Sequence, residues 1–182
     1  TQYAFDRQIA VGVWEYLQQT GRARLLNAES DAPGLSLGEL IKRALRVDGV
    51  IVHGGLPEQL DRLVSRGIPM VDVGAFLGEP LHPRVVADDA AIGRLAAEHL
   101  LAKGYRNFGY AGFPGQSYST LRWEGFRDRI REAGLAVSAV TQATDPAGPA
   151  EWAAIPARTA RWLRSLPFPC AVFACNDGRA RM

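Results

Sequence analysis

Tyr3, Phe5, Asp6 and Arg7 near one end of the chain, His53, Gly74, Phe76, Asp88, Asp89 and Gln116 to Ser119 further along it, and Asn176 with Asp177 near its other end combine carboxylates, amides, hydroxyls, a guanidinium group and aromatic rings. None of them pairs a nucleophile with a base. The set suits recognition of a neutral polyol, because carboxylates and amides exchange hydrogen bonds with hydroxyls and arginine presents a rigid fork to adjacent oxygens. An aromatic ring can cover the apolar C–H face of a pyranose. Other chemistries lack their parts: there is no CxxC, HExxH, P-loop or glycine-rich dinucleotide fingerprint. His53 and His99 have no second histidine or cysteine spaced to complete a metal site, so neither a metal nor a cofactor is expected.

These residues matter because most of them follow a segment that reads as a strand, and open parallel sheets bind ligands beyond the carboxyl ends of their strands. The stretch VVADDAAIGRLAAEHLLAKGYRNFGYAGF, residues 85–113, organises the rest. Val85 to Ala87 reads as a strand, Asp88 and Asp89 as helix caps, and Ile92, Leu95, Ala96 and Leu100 recur at helical spacing. Gly104 stops the helix, and Asn107 to Ala111 reads as the next strand, completing a strand–helix–strand unit.

Ahead of it, Ile9, Val13, Tyr16 and Leu17 share one face of a helix that begins after Phe5 and ends at Gly21. Strands follow at Arg24–Leu26, Val47–Val52 and Ile68–Val73, with helices near Leu40–Leu45 and Pro57–Arg66. Behind it come a helix over Thr120–Ala133 with Leu121, Phe126 and Ile130 inward, a strand over Ala136–Val140, and a loop, TQATDPAGPAE. Pro156 then fits the first turn of a helix carrying Ala160 and Leu163 inward, and Ala171–Ala174 reads as a core strand. This alternation predicts a parallel sheet covered on both faces, and its restart at Asn107 predicts two lobes, 1–104 and 105–182. The strand that would feed the first helix should precede Thr1, and the second lobe lacks strands, so a chain cut short is expected.

Bulk properties narrow the function. The 182 residues are 47% hydrophobic, enough for a sizeable core, and 21 basic against 19 acidic residues leave a net charge of +2 without a long block of one sign. That argues against a dedicated nucleic-acid surface, although Arg122, Arg127, Arg129 and Arg131 make one helix locally basic. No apolar run is long enough to cross a membrane, and the first residues lack the order of a secretory signal. Cys170 and Cys175 read as buried thiols.

V-x-x-D-D, G-R-L-A-A-E-H-L and G-Y-R-N-F-G-Y-A-G resemble the joint between the two lobes of LacI-type effector-binding domains, which share the fold of type I periplasmic sugar-binding proteins. Arg122-Trp-Glu-Gly-Phe126 is similar to a helix start of that family whose arginine reaches the sugar, and Asn176-Asp177 is similar to its N-D pair. Tyr3 to Val13 and Asn176 to Arg181 resemble a branch of xylose-responsive regulators in which the sensing domain is joined to an AraC-type helix-turn-helix module.

The resemblance implies a periplasmic-binding-protein-like I α/β fold: two doubly wound parallel-sheet lobes, C-terminally truncated, with a ligand cleft between them. It implies a non-enzymatic, cytoplasmic sensor of D-xylose, homodimeric, acting on operator DNA through a module absent from this chain. The ligand set it implies is Phe5, Asp6, Arg7, Ser119, Arg122, Asn176 and Asp177. Arg122 should face the cleft, and Arg122→Lys should weaken sugar binding while leaving folding nearly untouched. A periplasmic sugar-binding protein of a transporter is the alternative reading, and an enzyme on a doubly wound sheet a third.

Overall fold

The computed structural model describes residues 2–21, 39, 47–53, 65–74, 83–141 and 149–182, the side chains of 2–6 and 149–152 excepted. Chain packing divides it into two compact units, the first taking in Gly74 and the approach to Val85, the second running from Val86 to Met182.

In the first unit, helix α1 spans Gln2–Thr20, and strands β1 (Val50–Val52) and β2 (Met70–Asp72) pair in parallel. Both strands are shorter than the apolar runs that announced them. Val52 and Met70 are buried, with Val50 and Ile68 packed against them. The helix starts earlier than expected, at Gln2, so Phe5 lies within its first turn rather than ahead of it, with Asp6 and Arg7 following. Ile9, Val13 and Leu17 are half-buried, but Tyr16, placed with them by spacing, is 66% exposed. The expected segments at Arg24–Leu26 and Leu40–Leu45, and most of Pro57–Arg66, lie outside the described residues.

No strand forms over Val85–Ala87. Arg84 makes a single parallel bridge to Asp72, and Val85 and Val86 are exposed. Two backbone hydrogen bonds to Asp72 hold the chain there, together with charge: Arg84 Nε donates to Asp72 Oδ2 at 3.1 Å, while Asp72 Oδ1 accepts from the Gly74 amide. β-branched residues were the strand signal, but without an apolar surface to bury they do not propagate pairing.

In the second unit, α2 (Asp89–Ala102) leads to β3 (Asn107–Gly112), α3 (Ser117–Glu132), β4 (Val137–Thr141), α4 (Pro149–Ser165), β5 (Cys170–Ala174) and a last short turn of helix, α5 (Asp177–Ala180). The three strands form a parallel sheet in the order β4-β3-β5. The helix before Asn107 packs against α3, and both belong to the unit that runs from Val86. The reason lies in two glycines. A Cβ at Gly93 would strike the Arg122 carbonyl, and one at Gly125 would strike the Ala90 carbonyl, so the two backbones touch where neither has a side chain. Pro156 is also placed differently: α4 begins at Pro149, leaving Pro156 in the helix interior.

Phe108, Tyr110, Phe126, Ile130 and Ala171 fill the core under α2 and α3. Phe126 meets Phe108 and Phe173 at 6.2 and 5.2 Å between ring centroids, and Tyr110 meets Trp123 at 5.3 Å. The basic helix face predicted for α3 is largely paired. Arg127 meets Asp128, Arg129 meets Glu98, and Arg94 holds Glu132 with two bonds of 2.9 Å.

Tyr110 is 1% exposed and donates its hydroxyl to the Ser119 carbonyl at 2.6 Å. Burial, opposed by a hydrogen bond with the Ser119 hydroxyl, pushes its pKa up to about 12. The folded state therefore keeps this proton when an unfolded tyrosine, at about 10, has begun to lose it. The contribution is whole below about pH 10 and is lost as pH rises through about 12. In an alkaline titration, one phenolate should develop only together with loss of the far-ultraviolet circular dichroism, and Tyr110→Phe should abolish that step. Full ionisation of every tyrosine with the helical signal intact would contradict this burial.

Candidate functional site

The second unit gathers its polar side chains at the carboxyl ends of β3 and β5. The chain leaves β3 at Gly112, turns through Phe113 to Gln116, and enters α3 at Ser117. Arg122, on the second turn of α3, is 22% exposed at its side chain. Its Nε donates to Asp89 Oδ1 at 2.8 Å, and its Nη1 donates to the Cys175 carbonyl at the end of β5. Tyr118, one turn earlier on the same face, lies beneath the guanidinium, with the ring centroid 5.4 Å from Cζ. Nη2 makes no hydrogen bond among the described residues. Arg122 is thus fixed on three sides and retains donors on the fourth.

Asn176 joins this group. Its Nδ2 donates to the Tyr118 hydroxyl at 3.1 Å, and its Oδ1 accepts from the Arg179 amide, capping α5. Burial raises the Tyr118 pKa, so this phenol stays protonated and can donate while accepting from Asn176. Asp89 is 3% exposed and serves as the counter-charge to Arg122, whereas Asp88 caps α2 by accepting from the Ala91 amide at 2.9 Å. The sequence placed both aspartates as caps. Only the long separation of Asp89 from Arg122 along the chain hides the pair, and no local spacing signals it.

The other predicted residues are distributed as follows. Asp177 is exposed at the start of α5, 3.8 Å from Arg181. Ser119 is 2% exposed, and its Oγ accepts from the Phe113 amide at 2.9 Å. Its hydroxyl fixes the loop after β3 from within the core rather than facing outward, because the third position of this helix turns toward the sheet. Arg7 is exposed on α1; the side chains of Phe5 and Asp6 lie outside those described. Tyr118, named only as part of the Gln116–Ser119 loop, is the residue the sequence reading undervalued. Its spacing of four from Arg122 was the available signal.

Hydroxyl, amide and guanidinium donors around one buried carboxylate can bind oxygens of a small polar ligand; they provide no nucleophile activated by a base. Cys175 is buried, and burial raises its thiol pKa. Among the described residues no group of three His, Cys, Asp or Glu side chains could hold a metal ion, and no helix is long and apolar enough to cross a membrane. An open apolar groove of about 540 Å³, lined by Ile92, Leu95, Ala96, His99, Leu100, Val172 and Phe173, shares no residue with this cluster.

Residues 97–182 match the model of the periplasmic binding protein-like domain. Across 98% of its length the chain is 32% identical to the xylose operon regulatory protein of Escherichia coli K12, of which it covers 46%. It therefore spans about half the length of the curated relatives it matches. Among solved structures, a protein assigned as a ribose operon repressor from Burkholderia thailandensis superposes with a TM-score of 0.62 at 24% identity, covering 94% of this chain and 74% of that one. A LacI family transcriptional regulator from Enterococcus faecium with bound ribose gives a TM-score of 0.60 at 25% identity, covering 79% of this chain and 53% of that one. Parallel sheets flanked by helices, a matching domain model and these neighbours make the chain an α/β protein of the periplasmic-binding-protein-like fold, the fold shared by LacI-family effector domains.

Proposed function

We propose that the chain is the effector-sensing part of a bacterial transcription regulator and that its effector is D-xylose. The observation that carries this reading is the fixed Arg122 guanidinium. It is anchored by Asp89 and the Cys175 carbonyl, and Nη2 is left to donate beside Tyr118 and Asn176. Such an anchored fork loses little freedom on meeting adjacent sugar hydroxyls. The choice of xylose is supported by the similarity to the xylose operon regulatory protein over nearly the whole chain.

In this reading Arg122, Asn176 and Asp177 supply contacts from the second lobe, with Tyr118 beside them, and Phe5, Asp6 and Arg7 supply those of the first. Ser119 supports the site from behind. The protein is not an enzyme; it works in the cytoplasm as a homodimer, and DNA is bound by a helix-turn-helix module outside this chain. A sugar shifts such a regulator only by binding one of its arrangements better than the other. Transport by a periplasmic binding protein is less well supported, since the relatives matched are regulators.

Calorimetric titration of the full-length protein with D-xylose, D-ribose and L-arabinose tests the proposal. D-Xylose should bind saturably and at least about tenfold more tightly than the other two, the scale of one misplaced hydrogen-bonding hydroxyl. Tighter ribose binding would keep the sensor reading and reject xylose. No saturable heat with any pentose would reject both.

A further inference from the structure

Arg179 is 2% exposed, yet two of its three guanidinium nitrogens, Nε and Nη2, are buried without a hydrogen-bond partner. The third, Nη1, reaches only the Met182 sulfur at 4.0 Å. The cation lies over the Phe113 ring, with Cζ 5.9 Å from its centroid. Nε and Nη2 occupy one edge of the guanidinium, and their N–H bonds run side by side. That edge is the fork which two oxygens of a carboxylate or phosphate fill together.

Burial lowers the Arg179 pKa from its usual range. A buried cation with an unfilled fork is unfavourable unless an anion joins it. Phe113 follows β3 and Cys175 follows β5, so the fork stands at the ligand-binding end of the sheet.

We infer that Arg179 forms a site for a small oxyanion, two adjacent oxygens of a carboxylate or a phosphate seated on the Nε–Nη2 edge. This site is additional to the proposed sugar contacts and does not depend on them.

Thermal melts in sodium phosphate and in sodium acetate, against sodium chloride at matched ionic strength, test it on the wild type and Arg179→Met. The wild type should gain about 5 °C or more in one of the two oxyanions at 100 times its Kd, saturably. Phosphate alone or acetate alone then tells which oxyanion the fork takes. Arg179→Met should melt no lower than wild type in chloride, since it removes an unpaired buried charge, and should lose the shift. The site is overturned if neither oxyanion gives a saturable shift, if the shift survives in Arg179→Met, or if that variant melts lower in chloride or fails to fold.

Discussion

Replacing Arg122 by methionine should lower the stability of the protein by about 3 kcal/mol, because the change leaves Asp89 buried without its counter-charge. In a protein of this size that is a fall in melting temperature of roughly 6–12 °C. Sugar affinity should fall at the same time by more than about tenfold, the value of a charged hydrogen bond. Arg122→Lys should fall between wild type and methionine on both measures. A lysine keeps the charge but cannot reach Asp89, the Cys175 carbonyl and a ligand oxygen from one planar group. Stability and binding are separable in a double variant. Asp89→Leu with Arg122→Met removes both charges and should recover at least half of the lost stability, while sugar binding stays lost. An Arg122→Met protein that melts with the wild type would show that the pair does not hold α2 to α3.

This expectation differs from the one drawn from residue order alone, in which Arg122 served only the ligand and could be altered without cost to folding. The helix and the inward Phe126 follow from spacing and were legible, and the inward reach of Arg122 is what the family resemblance implied. Its partner was not, because Asp89 is remote in the chain and occupies a position that a capping residue fills equally well. The same limit governs Ser119. A serine near a strand end reads as a ligand group until the sheet is built and its hydroxyl is found on the Phe113 amide.

Elements with an apolar face to bury are legible to within a few residues: β3, β4, β5 and α3 all lie where alternation puts them. Failures fall where local signals lack tertiary support. Val85 to Ala87 has β-branched residues but no surface to cover, and Pro156 signals a first turn of α4 although Pro149 offers the same signal seven residues earlier. The Arg179 fork has no signal at all, since an arginine close to a chain end reads as a solvated charge.

Gly125→Ala is the sharper test of how the site is held, because two effects of opposite sign compete there. In a helix interior with open surroundings, alanine in place of glycine stabilises by about 1 kcal/mol. Gly12 on α1 is such a place, with nothing within 4 Å of the position an added methyl group would take, so Gly12→Ala should raise the melting temperature slightly. At Gly125 the methyl would meet the Ala90 carbonyl of α2, a backbone atom that cannot rotate aside. Overpacking of this kind costs about 1–3 kcal/mol, occasionally more, and outweighs the propensity gain. We therefore expect Gly125→Ala to be destabilised by about 2 kcal/mol. Because relief of the clash requires α2 to move away from α3, Asp89 must withdraw from Arg122, and the fork should lose its anchor as well as the helix its neighbour. Sugar affinity should then drop in Gly125→Ala although no ligand-contacting atom has been changed, and Gly93→Ala, which meets the Arg122 carbonyl from the other side, should behave alike. If Gly125→Ala melts higher than wild type, as Gly12→Ala should, the close approach of the two helices is refuted, and with it the account of how Arg122 is held.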